Sequence, residues 1–244
     1  MTQTSTDAPV LHIKGLSGQR GAFRLTVPGL SLGAGQALAV TGPSGCGKST
    51  LLDLLGLVLR PAAAATFRVM GQDVSALWAD GARGQSGLAA LRAGSVGYIL
   101  QTGGLLPYLS VAENIGLSPR LLGQAVDRGW YDHLVTQLGL QDHLTKAPRL
   151  LSIGQRQRVA MARALAHRPP LVLADEPTAA LDPATADRAL ALLLGLSVDS
   201  GAALILVSHD QRRIAGLQVP VLTGVLEKNG QTVRFVPPGA GDAR

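Results

Sequence analysis

Nine consecutive residues, Gly42 to Thr50, read GPSGCGKST and fit the spacing Gly-x4-Gly-Lys-Ser. The chemistry that suits this spacing is capture of phosphate. Gly42, Gly45 and Gly47 let the backbone curl until successive N–H groups point inward, and a helix starting directly after them adds the positive end of its dipole. Lys48 then reaches the β- and γ-phosphates of a nucleotide, Ser49 offers a hydroxyl to Mg2+, and Thr50 supports the α-phosphate. Pro43, Ser44 and Cys46 complete the loop. Cys46 reads as a small space-filler or as a handle for alkylation.

Four further residues, at three strand ends, carry groups that suit phosphoryl transfer. Asp175 and Glu176 close the apolar run LVLADEP. The first carboxylate suits the Mg2+ shell and the second can polarise an attacking water. An acidic pair at a strand end can equally open an ordinary loop, and the phosphate loop in the same chain gives this pair its role. Gln101 ends SVGYILQ and His209 follows AALILVS. The amide could bind the metal or its water, or be a plain loop residue. The imidazole could donate to a γ-phosphate, or cap the next helix. His12, His133, His143 and His167 have no such setting and read as surface residues. A second anion-binding helix start comes about a hundred residues after the loop, in LSIGQRQRVAMARAL from Leu151 to Leu165. Its serine, glycine and glutamine open an amphipathic helix carrying three arginines.

The elements that must hold these groups follow from apolar patterning. VLHIKGL and AFRLTVPGLSL read as short strands, QALAVTG (Gln36 to Gly42) as a buried strand, and STLLDLLGLVL as a helix stopping near Pro61. ATFRVMGQDV is a strand and turn. Residues from about Ala76 to Leu91, rich in Ala and Gly, mix helix and loop. SVGYILQ is a strand, and a mostly helical stretch from about Val111 to Leu165 breaks near Pro119, Gly129 and Gly139. PLVLADEP and AALILVSHD are buried strands flanking a helix in PATADRALALLLGLSV, and GVLEKNGQTVRFV is a hairpin around Asn229-Gly230. Continuous apolar strands alternating with helices argue for a parallel α/β core.

Composition bounds the rest. With 46% hydrophobic and 16% charged residues in 244, the chain can build a core and is not expected to be disordered away from its ends. One cysteine excludes a disulfide framework and a cysteine-rich zinc site, and fits a reducing compartment. The net charge of +6 is scattered, which suits solvated surface or weak attraction to nucleotide or an anionic membrane face. Aromatics are 3%, too few for base-stacking platforms, so no nucleic-acid partner is expected. No run reaches the ~18 apolar residues of a membrane span; LLDLLGLVLRPAAAA is interrupted by Asp53, Arg60 and Pro61. The polar opening MTQTSTDAP lacks a signal-peptide pattern and should fray. The expectation is a soluble single unit.

The order of phosphate loop, Gln101, LSIGQ, LADEP, ALD and SHD, from about Val10 to Leu226, resembles the nucleotide-binding subunit of ABC transporters. The resemblance implies an α/β fold: a P-loop NTPase (RecA-like) core with a small antiparallel β subdomain and an inserted α-helical subdomain. Residues 1–244 would form one ATP-binding domain. Residues of about 10–100 and 166–226 would be core plus β subdomain, and about 101–165 the helical subdomain with the signature. It also implies an ATPase using ATP and Mg2+, with Glu176, His209, Lys48 and Gln101 as catalytic groups and Ser49, Gln101 and Asp175 around the metal. LSIGQ resembles the family's signature motif, which acts across a dimer in which two copies sandwich two ATP molecules. Ser152, Gly154 and Gln155 would thus serve the second copy's γ-phosphate, and Ala180 to Asp182 would cross the same interface. The other implied partner is an integral membrane permease, placing the chain on the cytoplasmic face of the inner membrane.

Several positions depart from the family pattern. Ile153 replaces the first glycine of Leu-Ser-Gly-Gly-Gln; a helical φ there costs little, whereas a positive φ would strain a β-branched residue. The place of the adenine-stacking aromatic falls near Arg20, whose guanidinium could stack instead, or Phe23 could serve. Ala180 stands where a serine is usual, and AAAATF replaces a Ser-Gly turn. Every expected catalytic group is present. LRAGSVGYILQTGGLLPYLSVAENI looks like the branch of lipoprotein-release, macrolide-export and cell-division ATPases, and amino-acid importers share similar stretches. Residues of roughly Gly103 to Asn114, with Tyr108, would form the groove for a permease helix, or pack internally. A soluble ABC ATPase acting on DNA or ribosomes is the alternative of another class. It lacks support here, since there are no sustained heptads and only one phosphate loop. A non-hydrolysing ATP-binding scaffold is a third reading, against which Glu176 and His209 stand.

Overall fold

The computed structural model describes residues 8–227 and 230–237. In chain order the strands are β1 (Leu11–Arg20), β2 (Phe23–Leu32), β3 (Ala37–Thr41), β4 (Thr66–Val69), β5 (Gln72–Asp73), β6 (Val96–Ile99), β7 (Leu171–Asp175), β8 (Ala203–Val207), β9 (Val221–Leu226) and β10 (Thr232–Val236). The helices are α1 (Lys48–Leu55), α2 (Ser75–Ala79), α3 (Gly81–Ser95), α4 (Val111–Ile115), α5 (Leu117–Leu121), α6 (Arg128–Gln137), α7 (Ile153–Leu165), α8 (Pro183–Ser200) and α9 (Gln211–Gly216). The strands join in one sheet ordered β5-β4-β1-β2-β10-β9-β3-β8-β7-β6.

The sheet changes character along its width. From β9 to β6 every neighbouring pair is parallel. All five residues of β8, Ala203–Val207, are buried, because both faces of this part are covered. Leu38, Val40, Leu171, Leu173, Ile205 and Val207 face α1 and the antiparallel strands β1, β2 and β4. Ala39, Val172, Ala174, Leu204 and Leu206 alternate with them and face the helices, α7 foremost, whose Val159, Met161 and Leu165 are fully buried. At the other end β1 pairs antiparallel with both β2 and β4. The expected short strands there are longer: β1 and β2 run ten residues each, in register from Leu11 opposite Leu32 to Arg20 opposite Phe23.

This topology positions the site. Strands β3, β8, β7 and β6 are adjacent and parallel, so their C-terminal ends emerge along one edge, where ligands of open α/β sheets bind. Those ends lead directly into Gly42, His209, Asp175-Glu176 and Gln101.

Some expected boundaries move. The helix after the phosphate loop ends at Leu55, not near Pro61, because Gly56 caps it and Leu57 turns left-handed at φ 58°. A side chain at Gly56 would meet Leu52 O at 3.0 Å. The Ala/Gly-rich segment is helical rather than mixed; Gly84 is required because a Cβ there would lie 1.8 Å from Leu77 O, where α3 crosses α2. Between Val111 and Leu165 the breaks fall at Gly116 and Gly123, not at Pro119 or Gly129. Pro119 occupies the first turn of α5 and Gly129 that of α6, where a helix needs no N–H from its own residues. Gly139, at φ 62°, does break the chain. At the C-terminal hairpin β9 and β10 pair antiparallel as expected; Asn229 lies outside the described residues, as does most of MTQTSTDAP.

Candidate functional site

The phosphate loop is built from backbone conformations that glycine alone adopts cheaply. Gly42, Gly45 and Gly47 have φ of 152°, 77° and 84°, in or beyond the left-handed region closed to side chains. At Gly47 a second constraint adds to this, since a Cβ would come 2.6 Å from the Phe23 ring. Gly47 caps α1 without any side-chain bond, which leaves the first N–H groups of α1 available to an anion. Lys48 is buried, and its Nζ donates to Gly42 O at 3.0 Å and Pro43 O at 3.1 Å. The ammonium is thereby held along the loop's own carbonyls.

The acidic side of the site is set by β7 and β8. Asp175 is the last residue of β7, opposite Val207. Glu176 follows at φ 47°, a conformation costing a non-glycine residue ~1–2 kcal/mol, and its N–H donates to Val207 O at 3.1 Å. That strained turn directs the carboxylate to His209, whose Nδ1 lies 2.7 Å from Glu176 Oε2. Glu176 is 14% exposed and His209 66%, so the pair joins a half-enclosed carboxylate to an accessible imidazole.

One cleft of about 600 Å3 gathers the parts. Ser44, Gly45, Gly47, Lys48, Ser49 and Thr50 form one wall; Gln101, Asp175, Glu176 and His209 form the other. Ser49, Gln101 and Asp175 are all oxygen donors, the set Mg2+ takes when it keeps waters and phosphate oxygens as its remaining ligands. Burial raises the Asp53 carboxyl, Arg20 opposes that, and Asp175 adds to it. Cys46 is a space-filler: it is buried beneath the loop against Gly42 and Gly224, and burial raises its thiol pKa despite nearby Lys48. Phe23 packs its ring edge on Gly47, and Arg20 extends over Asp53 at 3.9 Å.

Ser152, Gly154 and Gln155 are not in this cleft. They start α7 with a capping box: Ser152 Oγ accepts from Gln155 N–H at 3.2 Å, and Gln155 Oε1 accepts from Ser152 N–H at 2.8 Å. Ile153 is the first helical residue, has no positive φ, and is 48% exposed. The departure from glycine therefore costs no backbone strain. Leu181, in the ALD stretch, packs beside Gly154, and Asp182 caps α8 by accepting from Thr185 N–H at 3.0 Å. The α7 side chains reach back towards the cleft: Gln157 Nε2 donates to Gln101 O at 2.6 Å, and Arg163 donates to the carbonyls of Gly103 and Gly104.

Two groups were not legible. Asn114, fully buried, accepts from Leu106 N–H and donates to the carbonyls of Leu106, Leu109 and Ser110. It ties residues 106–110 into a knot; the only signal was an asparagine inside a helical pattern. The histidines other than His209 are not uniformly superficial. His167 is largely buried with neither ring nitrogen hydrogen-bonded, and burial lowers its pKa to about 4. His12 also has a buried Nδ1. His143 touches Gln155. His133 fits the surface reading best, pairing with Asp199 at 3.2 Å.

A glycine phosphate loop leading from a parallel strand into a helix, faced by an acidic strand end, defines a P-loop nucleotide-binding protein. Residues 25–179 match the model of the family described as ABC transporter. The lipoprotein-releasing system ATP-binding protein LolD of Anaeromyxobacter dehalogenans is 42% identical over 188 residues, 75% of each chain. The macrolide export ATP-binding/permease protein MacB of Syntrophobacter fumaroxidans is 38% identical over 85% of this chain but 29% of its own length. The chain thus spans about a third of the macrolide-export relatives it matches. A solved dimeric structure of the ATP-binding cassette MJ0796, in a post-hydrolysis state with ADP and Pi, superposes with a TM-score of 0.72 at 27% identity, over 93% of this chain and 98% of that one. The chain belongs to the ABC transporter family and has the fold of its ATP-binding cassettes.

Proposed function

We propose that this chain binds ATP with Mg2+ and hydrolyses it as the motor of a membrane permease, two copies closing around the nucleotide. The observation that carries this is the cleft in which the phosphate loop faces the Glu176–His209 pair while the signature helix start stays outside, exposed. A site whose third part points away is completed by a second molecule.

The residues divide the work by chemistry. The loop N–H groups, Lys48 and the α1 terminus hold the phosphates. Ser49 and Asp175 would hold Mg2+, with Gln101 at its water shell, and the ion would supply charge neutralisation for the phosphates. Glu176 takes the proton of the attacking water, and the single N–H of the neutral His209 ring serves one acceptor at a time: from Nδ1 it orients that carboxylate, and from Nε2 it donates to a phosphate oxygen. Ser152 and the N–H groups near Gly154 meet the second copy's γ-phosphate, so loss of that phosphate opens the dimer. Residues 101–165 then act as the helical subdomain turning against the core of 10–100 and 166–226. The segment of Gly103 to Asn114, with Tyr108 76% exposed, receives the permease at the cytoplasmic face of the inner membrane. No helix among the described residues is long and apolar enough to cross a membrane itself.

Likeness to LolD and MacB favours lipoprotein release, export or force transmission to the cell envelope. A methionine import ATP-binding protein MetN of Caulobacter vibrioides, 38% identical over 93% of this chain, keeps an amino-acid-type importer as the second reading. The test is Glu176→Gln, tagged, held with ATP and Mg2+ in its native membranes and extracted in mild detergent. A co-purifying membrane protein with few spans and a large outer domain supports the first reading. A many-span permease supports the second. Ribosomes or nucleic acid would overturn both.

A further inference from the structure

The start of the signature helix depends on one amide with two ends. Gln155 Oε1 is committed to Ser152 N–H at 2.8 Å, so its nitrogen must lie on the opposite side. There Gln155 Nε2 meets His143 Nε2 at 2.9 Å. An amide nitrogen only donates. His143 Nε2 must therefore accept, and the single proton of the neutral ring belongs on Nδ1. Yet Lys146 Nζ stands 2.9 Å from that Nδ1, and an ammonium also only donates. The neutral imidazole has one acceptor, and two donors compete for it. With the proton on Nδ1 the ring holds Gln155. With the proton on Nε2 it holds Lys146, and the Gln155 amide must turn or let go, taking its oxygen from Ser152.

The segment carrying the ring is fastened to a distant part of the molecule. Ala112 N–H donates to Leu144 O and Val111 N–H to Lys146 O, both at 2.9 Å. These are the first residues of α4, and Asn114 in the same helix binds residues 106–110. Any displacement of that loop is passed through α4 to the backbone on which His143 and Lys146 sit.

Resting on the reading of α7 as the ATP-facing helix, we infer that His143 is a positioning residue for the signature. Its imidazole holds the capping amide of Gln155 in place, and Lys146 is the competitor that releases it. The ring joins the 106–110 loop to Ser152.

Three variants of the full chain test this: His143→Ala, His143→Gln and Lys146→Met. The first readout is solvent exchange of the Ser152 amide proton by NMR, without nucleotide. His143→Ala should speed it by about threefold to tenfold, the worth of one hydrogen bond. Lys146→Met, with the competitor gone, should slow it. His143→Gln, whose side-chain oxygen can accept, should return it towards the parent value. The second readout is ATP turnover, where His143→Ala should raise KM more than it lowers kcat. Unchanged exchange in His143→Ala, or Lys146→Met shifting it the same way as His143→Ala, overturns the inference. Exchange needs no turnover, so a parent chain without ATPase activity would refute the motor reading separately.

Discussion

The cleft of the phosphate loop and the helix start at Ser152, which we propose serve the same anion from two molecules, are made in opposite ways. The cleft is assembled from four sheet ends far apart in sequence, with strained backbone at Glu176 and left-handed glycines at Gly45 and Gly47. The signature start is one local stretch, an unstrained helix cap with its Ser152 and Ile153 exposed. The cleft gathers loop residues, Gln101 and the Asp175 and Glu176 carboxylates within one chain, and Ser152, Gly154 and Gln155 do not line it. Strain is stored where a single molecule must hold chemistry in place, and a relaxed, exposed motif is what a surface closing on a partner requires.

The contrast can be broken at several points. Glu176→Gln should lower turnover about 10²- to 10⁴-fold while ATP binding and ATP-dependent dimerisation persist. Parent-rate hydrolysis, followed by phosphate release, would remove Glu176 as the base. Lys48→Ala should weaken nucleotide binding about 10- to 100-fold by calorimetry, since a charge-assisted contact is lost from a buried site. Equal affinity would mean the loop holds phosphate by backbone alone.

A second comparison concerns the two ends of α7. Its start is exposed, but His167 just beyond its end is largely buried with no hydrogen-bond partner and a pKa lowered to about 4. Above pH ~6.5 His167 is neutral in folded and unfolded chains alike, and stability is complete. As pH falls from ~6.5 to about 4, only the unfolded chain takes the proton, so stability declines; below about 4 this contribution levels off. Allowing for partial exposure, the loss should be ~2 kcal/mol. Urea unfolding at several pH values measures it, and His167→Leu should flatten that slope. A slope unchanged in the variant would place the titration elsewhere.

The smallest effect should come from Ile153→Gly. Ile153 is helical and half-exposed, so stability should change by less than ~1 kcal/mol and turnover by less than about tenfold. A larger loss of turnover would mean that the isoleucine contributes to closure on the second copy.

Much of the cleft was legible because its parts are short motifs tied to strand ends. GPSGCGKST, Asp175-Glu176, Gln101 and His209 could be named before any fold, each at the end of an apolar strand; that those ends share one edge follows from the order β3-β8-β7-β6. Less legible were features that depend on who lies across the fold. Gly84 must be glycine because α2 crosses within contact distance of α3. His143 and His167 look alike in the chain, and neither has a patterned neighbour. One meets Gln155 across twelve residues, and the other is enclosed without a partner.

By itself, then, the order of residues determined a glycine loop suited to phosphate, the parallel core and a second capped helix start. Each of these is written in local spacing: glycines where φ must be positive, apolar runs where strands are covered on both faces, and a serine three residues before a glutamine. Only the tertiary structure decided that Glu176 is turned onto His209, that Ile153 is unstrained, and that Ser152 lies outside the cleft it resembles. Those depend on contacts between elements far apart in sequence, whose geometry no local spacing records.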